Sequence, residues 1–299
     1  MEFLKDFYKK RVVFIVLPYV LWAIFYETFM YVIQFREWSL VDSLVRILHG
    51  ESFYHLHFIY LIVQFYLFLP LLLYLTQKIV FLRKYLWLVG LLIQVSYGYL
   101  SNDVQFSSFM DFLGFMGPFM LGAWLGVHFT REKEKARKIT TVPLAIAGLG
   151  LGVTMTLLHY FIYGTGQLDL HWFLFRLTDM AYLLVGGYAL FRIAEWLSEV
   201  VSPRVFHVIK NIASYSFGFY LIHPIVLRVV AEFIPAQANA WFHVQIVGRY
   251  VGTLLFCYLI IWFFHRFTPF GSILFGKLPK RATFIYHRQT MNRETKTVS

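Results

Sequence analysis

Eight long apolar runs constrain the fold of this chain more than any other feature of its sequence. A helix needs roughly 20 predominantly apolar residues to cross ~30 Å of hydrocarbon, and all but the third run approach or exceed that length. The third is shorter because Arg83 and Lys84 precede it, although their side chains could snorkel to the interface and let the helix begin near Ile79. The runs do not show the apolar/polar alternation of outer-membrane strands. The sequence therefore predicts an all-α fold, a polytopic integral membrane helical bundle of about eight transmembrane helices, at residues 12–33, 58–76, 85–100, 109–129, 140–163, 172–193, 212–234 and 243–264.

The composition indicates that lipid is the main solvent of this chain. Fifty-nine per cent of the residues are apolar and 14% are charged, whereas soluble domains carry roughly 25% charged residues. The net charge of +11 would also suit a nucleic-acid-binding protein. However, the Lys and Arg residues cluster between the apolar runs, where anionic lipid head groups are the nearer partners. We therefore predict membrane lipid as a partner and exclude nucleic acid.

The Lys and Arg residues are unequally divided between the two sides of the membrane. The segments between runs alternate between sides, and Arg192 at the end of the sixth run is counted with the loop that follows it. On this basis 22 of the 27 fall on the side of the N-terminus, two on the other side and three inside runs. Cytoplasmic loops of membrane proteins carry an excess of Lys and Arg. The pattern predicts that the N-terminus and the C-terminus are both cytoplasmic.

The chain divides into one membrane domain and a tail. Residues 1–276 contain all the apolar runs, which predicts a single transmembrane domain. Residues 277–299 are polar and basic and lack apolar periodicity. Such segments bury too little apolar surface to offset the entropy of ordering, so we predict a disordered cytoplasmic tail.

Several ionisable residues fall inside the apolar runs, mostly in their predicted outer halves. Charged groups in a membrane are costly and usually face the bundle interior or a water-filled cavity. One interpretation is that they pair with one another or reach water at the interface. The other is a polar cavity open to the outside, where arginines would hold an anionic or heavily hydroxylated ligand. The residues concerned are Glu27, Asp111, Arg176, Asp179, Arg228, Glu232 and Arg249.

Histidines form a second group of candidates. His223 lies near the middle of the seventh run and precedes Pro224. It is either a packing residue at a proline kink or a functional residue. The predicted outer segment from His49 to His57 also contains His55. It lacks a set of four ligands at the usual zinc spacing, so we predict no metal site.

Three segments resemble the acyltransferase 3 family of membrane O-acyltransferases. Lys9–Arg11 leading to Leu17–Tyr19 is similar to the family's basic entry to an early helix, and Ser216–Pro224 (SFGFYLIHP) is similar to its late-helix signature. YHLHFI from Tyr54, followed by QFYLFLPL from Gln64, resembles the segment near its third and fourth helices. Within the family, the likeness is to the intercellular adhesion protein C group, which is tied to poly-N-acetylglucosamine modification or export.

The resemblance implies a multi-pass protein of the bacterial cytoplasmic membrane. Such an enzyme transfers an acyl group from cytosolic acyl-CoA, a co-substrate rather than a bound cofactor, to a hydroxyl group of a cell-surface polysaccharide or glycan. Family members have about ten helices, with a catalytic histidine and a basic residue on the first. This chain resembles the family from its third helix onward, which implies an incomplete N-terminus and leaves open whether this form is an active enzyme.

The resemblance and the buried charges together suggest roles for individual residues. His223 would position or polarise an acyl intermediate as the catalytic candidate. The rival hypothesis is an exporter or transporter of a polysaccharide or lipid-linked sugar, since charged groups in the membrane also mark substrate pathways. A non-catalytic subunit of a polysaccharide synthase complex is the third. The predicted substrate-binding residues are Arg176, Asp179, Arg249, Arg228, Glu27, His55 and His57.

Overall fold

The computed structural model describes residues 2–101, 108–136, 139–237, 239–282 and 284, and these residues form helices without strands. The all-α prediction is therefore confirmed over this part of the chain. Its helices are α1 Glu2–Arg11, α2 Leu17–Val32, α3 Leu40–His49, α4 Leu56–Lys78, α5 Val80–Leu100, α6 Met116–Val127, α7 Phe129–Ala136, α8 Thr141–His159, α9 Trp172–Val200, α10 Pro203–Ala213, α11 Ser216–Phe233, α12 Phe242–Phe267 and α13 Gly271–Phe275.

Within the described residues, eight helices are long and apolar enough to cross a membrane, as the sequence predicts. Two of these spans contain π-helical turns: Val12–Val16 joins α1 to α2, and Tyr160–Gly164 extends α8. Large apolar side chains on the spans, such as Leu149 and Val251, are more than half exposed, at 71% and 56%. Such positions face lipid in a membrane protein. The chain is therefore a multi-pass membrane protein, while the cytoplasmic placement of its termini stays a prediction.

The third span begins earlier than its apolar run. Helix α5 starts at Val80 and kinks at Tyr85, whose φ of −114° and ψ of 25° are not helical. The kink frees the carbonyl of Lys84, which accepts a hydrogen bond of 3.0 Å from Nε1 of Trp124. The basic residues thus lie in the first turns of the helix, and the start agrees with the expectation that their side chains snorkel and the helix begins near Ile79 rather than at residue 85.

The chain forms two compact units, which we describe separately: Met1–Tyr60 with Ser202–Ser299, and Leu61–Val201. In the first unit, α2 is joined to α11 and α13. Tyr26 donates a hydrogen bond of 2.9 Å to the Leu221 carbonyl, and Trp22 donates one of 2.9 Å to the Leu274 carbonyl. The predicted domain boundary at residue 276 stays a prediction, and residues 285–299 of the predicted tail lie outside the described residues.

In the second unit, α5 packs closely on α6, and α8 packs on α9. A Cβ atom on Gly90 would lie 2.4 Å from Cβ of Met120, so only glycine permits this approach of α5 to α6. One turn further along, Oε1 of Gln94 accepts a hydrogen bond of 2.8 Å from the Gly117 amide. A buried polar side chain therefore satisfies an amide at the start of α6.

Candidate functional site

Two histidines that are distant in the sequence meet in the first unit. His55 lies in the turn before α4, and His223 lies on the second turn of α11. Their ring centroids are 5.3 Å apart, with an interplanar angle of 72° that places the edge of one ring toward the face of the other. Both residues were predicted site residues, but the sequence did not predict their contact.

Pro224 explains the orientation of His223. Proline has no amide hydrogen, so the carbonyl of the residue four positions earlier, Tyr220, loses its helical donor. Nδ1 of His223 lies 2.9 Å from this carbonyl and 3.2 Å from that of Phe219. A ring nitrogen between two carbonyl oxygens must carry the hydrogen of a neutral imidazole. Nε2 of His223 therefore bears the lone pair and can accept a proton.

His55 differs from His223 in its burial and its polar contacts. Its side chain is only 7% exposed, and Nε2 lies 3.4 Å from the Leu221 carbonyl, to which it donates. Nδ1 is buried and has no hydrogen-bond partner among the described residues. Burial and the neighbouring His223 lower the pKa of His55 to about 4, against the opposing effect of the Leu221 carbonyl. At neutral pH this imidazole is uncharged and offers a second lone pair.

Aromatic residues hold the backbone and the ring of His55. The Tyr220 hydroxyl donates a hydrogen bond to the His55 carbonyl. The Tyr26 ring packs edge-on against the His55 ring, with centroids 5.2 Å apart, and stacks on Phe53 at 4.6 Å. The site predictions did not include these three aromatic residues, although Tyr220 belongs to the late-helix segment.

A buried ion-pair cluster fixes the chain that leads to His55. Glu27 on α2 is 5% exposed and accepts hydrogen bonds from Arg46 on α3 at 2.7 and 3.0 Å and from Arg36 at 3.1 Å. Arg36 also donates to the Ser52 carbonyl at 3.2 Å. The hydrogen bond to Glu27 raises the pKa of Arg46. Glu27 is thus paired, but with two arginines outside the predicted group of membrane residues, and its substrate-binding role stays a prediction.

Helix α3 can present Arg46 because both its ends are capped. The Ser39 side chain accepts a hydrogen bond from the Asp42 amide at 3.3 Å, which satisfies one of the free donors at the N-terminus. Gly50 follows the helix with a left-handed φ of 75°, a conformation that glycine adopts without strain. Arg36 and Arg46 belong to a predicted outer segment. The sequence did not predict that both would contact Glu27.

The remaining predicted site residues of the first unit make other contacts. The Arg228 guanidinium lies over an aromatic ring of α2, 5.3 Å from its centroid. Arg249 donates a hydrogen bond of 2.6 Å from Nε to the Ile234 carbonyl. His57 packs on Tyr60, with ring centroids 5.7 Å apart. Their substrate-binding roles stay predictions.

Arg176 and Asp179 belong to the second unit, on α9. Arg176 is exposed and lines a small cleft with Tyr99 and Trp172. Asp179 is half-buried. The predicted cavity that would unite these residues with Arg249 stays a prediction, because Arg249 belongs to the first unit.

Comparison with known proteins adds to this geometry. A family model described as an acyltransferase domain matches residues 2–262. The chain is 24% identical over 235 residues to a protein of Staphylococcus aureus strain MSSA476 named probable poly-beta-1,6-N-acetyl-D-glucosamine export protein, and the match covers 73% of this chain and 61% of that protein. A protein of the same name from strain MRSA252 is 23% identical over 232 residues, with the same coverage. The chain thus spans about three fifths of the length of these relatives. No solved structure matches it.

Proposed function

The chain belongs to the acyltransferase 3 family, and from that premise we propose that it transfers an acyl group from acyl-coenzyme A to a hydroxyl group of a cell-surface polysaccharide. The observation that carries the proposal is the lone pair on Nε2 of His223, which follows from the contacts of Nδ1 with two backbone carbonyls. An O-acyltransferase needs a general base within reach of the attacking hydroxyl, and histidine most often serves in that role.

The reaction then proceeds as a direct transfer. Nε2 of His223 accepts the proton of the acceptor hydroxyl while its oxygen forms a bond to the thioester carbonyl carbon. The tetrahedral intermediate collapses as the carbon–sulfur bond breaks, and the imidazolium returns its proton to the departing thiolate. The products are the O-acyl ester and free coenzyme A, so the histidine is regenerated in its starting form.

The neutral state of His55 supports this division of roles. Because the pKa of His55 is lowered to about 4, the proton removed from the acceptor stays on His223. Nδ1 of His55 is buried without a hydrogen-bond partner among the described residues, so the half-buried His223 is the ring that a sugar hydroxyl can reach.

We test the proposal with the full chain in lipid nanodiscs, with labelled acetyl-CoA as the donor and oligomers of β-1,6-linked N-acetylglucosamine as the acceptor. His223→Gln should lower kcat by about a hundredfold or more, because a positioned general base contributes typically 10²–10⁴-fold. His243→Gln, which changes an exposed histidine of α12, is the matched control and should keep the wild-type rate. Wild-type kcat in the His223→Gln variant would refute the assignment of the base.

Export of a polysaccharide is the second candidate function, and the names of the Staphylococcus aureus relatives favour it. Chemical analysis of the surface polymer separates the two functions in cells that lack the protein. A polymer that reaches the surface with a reduced acyl content supports the transferase. A polymer that accumulates inside the cell supports the exporter.

A further inference from the structure

Arg192 is a buried cation of the second unit that forms no ion pair with the acidic side chains that the structure describes. It lies on α9, and its side chain is 4% exposed. Nη2 donates hydrogen bonds to the hydroxyl groups of Thr141 at 2.7 Å and Thr140 at 3.0 Å, and to the carbonyl of Lys135. Nε is buried without a partner. None of the ion pairs among the described residues includes Arg192. Buried charges are normally paired, so this arrangement needs an explanation.

The N-terminus of α8 adds a second positive feature at the same place. Thr140 and Thr141 are the N-cap and the first residue of this 19-residue helix. A helix carries roughly half a positive charge at its N-terminus, which favours anions there. Helix α8 has neither a side-chain cap nor an acidic residue in its first turn. Instead, the guanidinium of Arg192 points at its first two residues.

The acidic residue of the adjacent helix is already engaged. Glu132 on α7 is fully buried and accepts hydrogen bonds from Tyr188 at 2.6 Å and Lys135 at 2.7 Å. Arg131 approaches it to 3.4 Å. Burial would raise the pKa of Glu132, but these hydrogen bonds outweigh it and lower the pKa. One carboxylate thus faces Arg131 and Lys135. The Arg192 guanidinium lies 5.8 Å from the ring centroid of Tyr188, so it meets the hydrogen-bond donor of Glu132 rather than the carboxylate itself.

We propose that the junction of α7, α8 and α9 binds a phosphate group, with Arg192, the Thr140 hydroxyl and the N-terminus of α8 as its ligands. A guanidinium is a strong donor to phosphate oxygens, and Thr140 is exposed, so a ligand can reach this hydroxyl, which lies 3.0 Å from Nη2 of Arg192. The segment that contains α7 is on the predicted cytoplasmic side. The phosphate would therefore come from the coenzyme A donor, which ties this inference to the proposed function. An anionic lipid head group offers the same chemistry.

The alternative is that Arg192 is a structural cap only, since it donates to a carbonyl in the last turn of α7. Measurement of KM for two acyl donors, in nanodiscs of phosphatidylcholine, distinguishes a phosphate ligand from a structural cap. Acetyl-pantetheine has the thioester of acetyl-CoA but lacks its phosphates. Arg192→Gln should raise KM for acetyl-CoA about tenfold to a hundredfold, the loss expected for a hydrogen bond to a charged group, and should leave KM for acetyl-pantetheine unchanged. Arg192→Lys should restore part of the loss.

Two further variants make the test independent of folding defects. Thr140→Ala removes an exposed hydroxyl and should raise KM for acetyl-CoA several-fold without affecting acetyl-pantetheine. Lys133→Gln is the matched control. Lys133 is a basic residue of α7, close to the proposed site in the sequence, but its ammonium group pairs with Glu195 at 3.6 Å. It should behave as wild type with both donors. Equal effects of the Arg192 and Thr140 variants on both donors would overturn the phosphate site.

Direct binding distinguishes the failure of this inference from the failure of the proposed function. Titration of the full chain with coenzyme A and with pantetheine requires no catalysis. Binding of coenzyme A that is at least tenfold tighter than that of pantetheine, and that Arg192→Gln abolishes, supports the site even where acyl transfer is not observed. If coenzyme A binding is independent of Arg192 but anionic phosphatidylglycerol vesicles bind in an Arg192-dependent way, the phosphate belongs to a lipid. Independence of both probes from Arg192 refutes the site.

Discussion

Acidification should destabilise this protein through His55, by an amount that follows from the burial of that residue. Its pKa is lowered to about 4 from an ordinary value of 6.5, first by burial and second by His223. A histidine whose pKa is lower in the folded state than in the unfolded state stabilises the fold while its ring is neutral, and protonation of the ring favours unfolding. Its contribution is complete above about pH 6.5 and is lost as the pH falls toward about 4. At about 1.4 kcal/mol per pKa unit, the loss is about 3 kcal/mol of unfolding free energy.

The measurement compares wild type with His55→Phe, which keeps an aromatic ring in this packed position and removes its titration. The full chain in detergent is unfolded thermally at pH values from about 7 to about 4. At roughly 2–4 °C per kcal/mol, the wild-type Tm should fall by about 6–12 °C more than that of the variant over this interval. His243→Phe removes an exposed histidine and should retain the wild-type dependence. Parallel loss of stability in wild type and His55→Phe would refute the reasoning.

Three further predictions concern the ion-pair cluster, the helix packing and the topology. Glu27→Gln should lower the unfolding free energy by about 3 kcal/mol, because it leaves two guanidinium groups without their carboxylate; thermal unfolding at neutral pH measures this loss, and an unchanged Tm would contradict it. Gly90→Ala should cost about 1–3 kcal/mol through overpacking against α6, whereas Gly98→Ala on the same helix, where a Cβ meets open space, should change stability by less than about 1 kcal/mol. In intact cells, a membrane-impermeant thiol reagent should label Glu51→Cys and not Glu134→Cys; the reverse pattern would place both termini outside.

The sequence was most informative where a property accumulates along a short segment. Apolar length predicted all eight spans but not all of their ends. Helix α9 continues to Val200, seven residues past the predicted end at residue 193, and α5 begins at Val80, near the earlier of its two expected starts. There, Arg83 and Lys84 interrupt the run, but the helix continues through them. The hydrogen bond from Trp124 to the Lys84 carbonyl stabilises the kink, and Trp124 is 40 residues away in the sequence. Hydropathy along the segment does not contain that information.

The candidate site was only partly predictable for the same reason. Placing an ionisable side chain in a membrane costs free energy, which identified Glu27 and His223 as residues that need polar partners. The partners themselves could not be identified, because Arg36 and Arg46 read as ordinary basic residues of an outer segment. Arg192 lies at the end of the sixth apolar run and resembles a basic residue of the loop that follows, yet it is 4% exposed and lies within α9.

The sequence by itself determined that this chain is a helical membrane protein with eight spans. The free energies of transfer of apolar side chains from water to lipid add up along one helix, so no tertiary contact is needed to predict a span. The sequence also determined membership of the acyltransferase 3 family, since short motifs survive in order along the chain. Only the tertiary structure decided that His55 faces His223, that Glu27 is held by two arginines and that Arg192 meets the start of α8. These contacts depend on packing between helices: His55 and its hydrogen-bond partner Leu221 are 166 residues apart. The lowered pKa of His55 follows from that packing.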